Sequence, residues 1–162
     1  TDFYVSSGQP DGNEQFDWDF GNKSSSLLKP KIDKNPKWLL FKEKIPVETI
    51  TLENFLTLKG IDEIDFVHMD VQGVELQVLG GAMNFLEHFK SIWLEVADVA
   101  LYENQPKRVE IESFMKANGF GLVKTQMTGS FGDQLYLNKR FFNNFFILRK
   151  FLLGEKLNYL LR

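Results

Sequence analysis

Cysteine is absent from the 162 residues, so neither a disulfide framework nor a thiolate-held metal is available to this chain. No apolar run is long enough to cross a bilayer, and the N-terminus lacks the basic-then-apolar pattern of a secretory leader. These absences read as a cytoplasmic protein. There is no surplus of positive charge: the formal net charge is −3, which argues against a general nucleic-acid binder. The balance is uneven, because six basic residues from Lys139 onward face only Glu155, a local +5 that leaves −8 for the rest. Nor does any G-x-G turn follow a strand, the usual cradle for nucleotide-type cofactors. What is present is 43% hydrophobic and 25% charged residues, enough for one globular domain with one core, and 16 phenylalanines to build it on.

The stretch Ile64 to Ala82, IDFVHMDVQGVELQVLGGA, reads as strand, acidic turn and helix. Ile64, Phe66, Val67 and Met69 form a short apolar run broken by Asp65 and His68, the pattern of a parallel strand covered on both faces. Beyond the Gly73 turn, Val74, Val78, Ala82, Phe85 or Leu86, and Phe89 recur at helical spacing and predict a helix that packs back on the sheet. Asp70 closes the strand at its carboxyl end, where open parallel sheets bind ligands.

In chain order, Asp2 to Ser6 predicts a first strand. Gly8 to Ser26 predicts a long surface loop carrying Phe16, Trp18 and Phe20, either a binding loop or one pinned to the core by its aromatics. Ile45 to Ile50 predicts a second strand; Thr51 caps a helix running to Lys59, and Gly60 ends it in the left-handed region. Ser91 to Ala97 repeats the buried strand pattern around Glu95. Pro106 to Asn118 predicts a helix with Val109, Ile111, Phe114 and Met115 on one side, and Phe120 to Gln126 with Gln134 to Lys139 predicts a hairpin joined by a Gly-rich loop. Residues 141–162 alternate apolar clusters with basic residues. They read as an amphipathic helix that docks on the domain, on a second copy as a homo-oligomer, or peripherally on an anionic membrane.

The order D-V-Q-G-V-E followed by L-x-V-L-x-G-A, from Asp70 to Ala82, resembles the hallmark of FkbM-type methyltransferases, usually D-x-E-G-x-E; Gln72 stands where that form has glutamate. The likeness extends from about Ser24 through Val47 to Leu52, to Ile92-Trp93-Leu94-Glu95 and to Gly132-Asp133-Gln134-Leu135-Tyr136. The resemblance implies an α/β Rossmann-like methyltransferase fold over residues 1–140, with a mixed sheet ending in an antiparallel hairpin and the 141–162 helix appended. It implies an S-adenosylmethionine-dependent O-methyltransferase acting on a hydroxyl of a sugar or other natural-product acceptor. The N-terminal cofactor-binding strands of such a fold are not found in this chain. Each such strand-helix-strand unit takes about thirty residues, so Thr1, no natural start, is expected to follow a trimmed or missing part. Two other readings stay open. Without a cofactor half, the chain would be a methyltransferase-like remnant acting as an interaction module; alternatively, Phe66-Val67-His68-Met69-Asp70 also resembles the phospho-acceptor strand of response-regulator receiver domains.

The candidate site residues follow from position. Asp70 is either a turn carboxylate or, at the strand end, the group that orients a hydroxyl or takes its proton; the resemblance places it near the methyl-transfer centre, with Gln72 beside it toward the cofactor. Glu95 ends a buried strand, where a carboxylate needs a partner or a pocket. His68 is either a satisfied core residue or a proton-transfer group. Glu75 in a first helical turn meets the helix dipole or the substrate. Ser25, within Ser24 to Ser26 and near Lys23 and Lys29, contacts an acceptor or simply belongs to a solvated loop. His68, Asp70 and Glu95 have no spacing that fixes a ligand geometry, so no metal is expected.

Overall fold

The computed structural model describes residues 1–12 and 19–142, so Phe16 and Trp18 of the loop lie outside it, as does almost all of the expected helix over 141–162. The described chain folds as a mixed α/β arrangement of two sheets.

The main sheet has β3 (Ile64–Met69), β4 (Phe89–Ala97), β5 (Phe120–Thr128) and β6 (Phe131–Asn138) in the order β3-β4-β6-β5. β3 and β4 run parallel, while β6 is antiparallel to both β4 and β5, which is the expected sheet ending in an antiparallel hairpin. The hairpin is tighter than its predicted Gly-rich loop: Thr128 already pairs with Phe131, so Gly129 (φ 63) and Ser130 make the whole turn. Gly132 lies inside β6, where a Cβ would run into the Gln126 backbone.

Three helices serve this sheet. α1 (Leu52–Lys59) begins as predicted at Thr51, whose hydroxyl accepts from Asn54 N, and ends at the left-handed Gly60. α3 (Arg108–Ala117) buries Ile111 and Met115, but Val109 faces solvent rather than the core. α2 (Glu75–Gly80) is much shorter than the helix predicted to reach Phe89. Two successive glycines, 80 and 81, weaken it, and the chain goes on in turns to a 3-10 turn at Leu86–His88. The apolar positions of that prediction still pack inward: Leu79, Ala82 and Phe89 are fully buried, although the backbone is helical only at the start.

The core lies on one face of the main sheet. Met69, Ile92, Leu94, Val96 and Tyr136 meet Leu56 of α1, Leu79 of α2, and Ile111 and Met115 of α3 in one apolar cluster. Each fully buried side chain of that size contributes about 1.5–3 kcal/mol. The opposite face carries no helix among the described residues. Phe66 there is 56% exposed and His68 is exposed, so β3 is covered on one face only and His68 is not a core residue. Trp93, beside His68 in the register, is partly covered by Lys124, whose ammonium lies 5.6 Å from the ring centroid.

β1 (Asp2–Ser7) and β2 (Leu40–Pro46) form a separate antiparallel ribbon. The second strand was expected later, at Ile45 to Ile50. The charged Lys42-Glu43-Lys44 is tolerated here because those residues face water, and pairing with β1 ends where Asp2 meets Pro46. Ser26 pairs with Tyr4 of this ribbon, and Pro30 with Tyr102, so the segment between them runs from the ribbon to the loop that follows β4.

Candidate active site

Parallel pairing of β3 with β4 brings their carboxyl ends together. Met69 is opposite Leu94, which sets Asp70 beside Glu95, and β6 then places Asp133 opposite Glu95. Alternation along β3 puts His68 on the same face as Asp70.

After Asp70 the chain turns through Gln72 and Gly73, both in the left-handed region, at φ 51 and φ 97. Gly73 suits this conformation, and a Cβ there would press on Tyr102, Gln105 and Leu28 at 3.2–3.3 Å. Gln72 is held from three sides. Its carbonyl accepts from Ser26 Oγ at 2.7 Å. Its Oε1 accepts from the Tyr102 hydroxyl at 3.0 Å, and its Nε2 donates to Asp70 Oδ1 at 2.6 Å and to Glu95 Oε2 at 3.4 Å. The carboxylates need donors, so the amide nitrogen faces them and the amide oxygen faces the phenol. Tyr102 is buried, and its hydroxyl also reaches the Ser24 carbonyl at 2.7 Å. Burial, then the charges of Glu95, Asp70 and Glu75, push its pKa well above the usual phenol range, so it stays a donor.

The acids differ in their surroundings. Burial pushes the Glu95 carboxyl up from 4.5 to about 7, helped by the charges of Asp70, Glu75 and Asp133 and by a hydrogen bond shared with Asp70. At neutral pH Glu95 is therefore about half protonated. Glu75 is buried and its Oε1 accepts from Gly73 N at 3.1 Å; burial raises its pKa against the backbone bonds that favour its charge. Asp70 is exposed. It fronts a cleft of about 580 Å³ whose walls include Phe3, Lys23, Ser25, Leu27 and Val78. Leu27, Val74 and Val78 also line an apolar groove of about 580 Å³ that continues past Leu52 and Phe55.

Of the residues expected from the sequence, Asp70, Gln72, Glu75 and Glu95 thus come together in one turn. His68 stands apart on the open face and, among the described residues, makes no hydrogen bond to either acid. Ser25 lines the cleft, but its hydroxyl bonds Ser6; its neighbour Ser26 is the one that reaches the acid turn. Tyr102 was not singled out, and Ser26 only as part of the Ser24 to Ser26 stretch. Tyr102 lies 30 residues from Gln72 in a polar connection, and no local pattern marks it.

Residues 8–122 match the Methyltransferase FkbM domain. The chain belongs to the FkbM methyltransferase family. A curated relative is the 2-O-methyltransferase NoeI of Sinorhizobium fredii (strain NBRC 101917 / NGR234), 34% identical over 141 residues that cover 86% of this chain and 54% of that protein. The chain therefore spans about half the length of the relative it matches. No solved structure matches it.

The glycines that follow β1 and β3 in this FkbM chain are not open toward a cofactor such as S-adenosylmethionine. Such a cofactor needs a glycine turn that opens backbone toward it. Gly8, Gly21, Gly73 and Gly132 are each crowded by the chain itself, by Trp38, Ser7, Tyr102 and Gln126 respectively, whereas Gly12, Gly60, Gly80, Gly119 and Gly129 face open space.

Proposed function

We propose that this chain supplies the acceptor-side acids of an O-methyltransferase that uses S-adenosylmethionine and acts on a hydroxyl of a small molecule such as a sugar. The observation that carries the reading is Asp70, exposed at the carboxyl end of β3 on a cleft, with Glu95 beside it and one amide bonded to both. The family match and the relative's name, a 2-O-methyltransferase, support methyl transfer to oxygen. The order β3-β4-β6-β5, with a parallel pair followed by an antiparallel hairpin, agrees with a Rossmann-like sheet.

In this reading the acceptor hydroxyl would donate to the free side of Asp70, which would take the proton. S-adenosylmethionine, when bound, would supply the methyl group, its C–S bond breaking as the O–C bond forms and S-adenosylhomocysteine leaving. Glu95, raised to about 7, is partly protonated next to that carboxylate and limits the charge gathered at the turn. The cleft walls supply apolar cover for the ring or chain that bears the hydroxyl. The compartment is read as the cytoplasm. Among the described residues β3 lies at the edge of the main sheet, which supports pairing of that strand with another chain.

The test is transfer of an isotope-labelled methyl group from S-adenosylmethionine to a panel of sugars and other hydroxyl compounds by the full-length protein. Labelled methyl ether on at least one acceptor is expected. Loss of the methyl group only to water, or to no acceptor at all, overturns the reading.

A further inference from the structure

Gln72 occupies the place where the resembled motif usually has glutamate, and its side chain makes three hydrogen bonds, two of them to the acids beside it. Its carbonyl is bonded by Ser26, its Oε1 by Tyr102, and its Nε2 reaches Asp70 and Glu95. A half-buried amide with one end fixed by a buried phenol cannot flip without facing its oxygen to two carboxylates. We propose that Gln72 is a positioning residue for the Asp70–Glu95 pair and that Tyr102 aims it: the phenol sets which way the amide faces, and the amide engages one oxygen of Asp70 and leaves the other toward the cleft. The proposal deepens the reading of Asp70 as the acceptor-side acid and rests on it.

The neutral side chain at 72 matters as much as its direction. The groups facing Glu95 are Asp70 from the turn after β3, Glu75 from the start of α2, Asp133 from β6 and Tyr102 from the loop after β4. β5 brings Gln126 opposite Asp133, and Lys23 lines the cleft at Asp70. A glutamate at 72 would replace the donor shared by two acids with a third acid at the same distances, turning attraction into like-charge repulsion.

The experiment uses the full-length protein labelled with carboxyl carbon-13 glutamate, with Glu95 assigned through Glu95→Gln. Carbon-13 shifts are followed against pH in wild type, Gln72→Glu and Tyr102→Phe, both near-isosteric changes. Gln72→Glu is expected to raise the Glu95 midpoint by about one unit or more, a tenfold tighter hold on the proton. Tyr102→Phe is expected to raise it less, since the amide loses its aim and its donation to the charged form. In the methyl-transfer assay, Tyr102→Phe is expected to lower kcat about tenfold with KM unchanged. If the three proteins titrate Glu95 at the same midpoint, the positioning role is overturned whatever their activity. If the midpoints shift as stated while wild type methylates no hydroxyl, the positioning role stands and the catalytic reading fails.

Discussion

Tyr136 and Tyr102 each clamp a glutamine, and each glutamine holds a carboxylate, but the two clusters differ in charge. On the helix-covered face, the Tyr136 hydroxyl donates to Gln134 Oε1 at 2.7 Å, and Gln134 Nε2 donates to Glu112 at 2.7 Å and to Thr125 at 3.1 Å. Arg108 completes this set by donating to Glu112 at 3.2 Å. Gln134 is fully buried and its amide bonds are satisfied. At the strand ends, Tyr102 and Gln72 repeat the arrangement, yet the amide serves two acids, and among the described residues neither acid has an ion pair with lysine or arginine. A buried polar network with its charge balanced adds rigidity and specificity. The same parts with no lysine or arginine ion pair among the described residues, opening on a cleft that Lys23 also lines, keep a carboxyl group near neutrality at a cost in stability, as functional sites do.

The largest expected effect separates the clusters outright. Asp70→Asn in the full-length protein should lower turnover by roughly a hundredfold or more with cofactor affinity little changed. Glu112→Ala, in the other cluster, should leave turnover intact and cost about 1–3 kcal/mol of stability by denaturant titration, because Gln134 loses an acceptor. Equal turnover losses in the two variants would erase the distinction. Gly73→Ala comes next: a left-handed backbone and crowding by Tyr102 should cost about 1–3 kcal/mol. It should also disturb the Glu95 titration, which a stability loss elsewhere would not do.

A smaller effect lies in pH. Between 4.5 and about 7 folded Glu95 keeps a proton that the unfolded chain has released, so its contribution to stability falls as pH rises through that window. Glu95→Gln cannot ionise and should lose that fall, so its Tm should gain on wild type between about pH 5 and about pH 8. Parallel Tm curves for the two proteins would show that Glu95 is not held as described. Smallest is Tyr136→Phe, expected to cost about 1 kcal/mol with no change in the pH dependence of turnover.

Much of the strand-end turn was legible because it is local. An apolar run, an acid and a glycine adjacent in sequence mark Ile64 to Gly73, and the cap at Thr51 and stop at Gly60 mark α1 in the same way. The hairpin was legible in position but not in detail, since Gly132 serves close strand packing inside β6 rather than the turn. α2 misled for a physical reason: burial rewards apolar spacing whether or not the backbone is helical, and Gly80-Gly81 broke the helix while Leu86 and Phe89 still reached the core. The pattern of β3 suggested two covered faces because Phe66 is apolar, and only the sheet order shows that one face stays open. What pattern could not show is what joins distant segments. Tyr102 and Ser26 reach Gln72 from 30 and 46 residues away, and nothing in their neighbours announces it.

Ser26 makes one part of the protein answer to another. Its backbone is bonded in both directions to Tyr4 of the β1–β2 ribbon, at 2.8 and 3.1 Å, while its hydroxyl holds the Gln72 carbonyl. A two-stranded ribbon is only marginally stable alone. Through one serine the ribbon is hydrogen-bonded to the residue lying between the two acids. The ribbon and the acid turn thus share one residue, and Ser26→Ala would remove the hydroxyl's bonds to the Gln72 carbonyl and the Leu28 amide while leaving the backbone pairing with Tyr4.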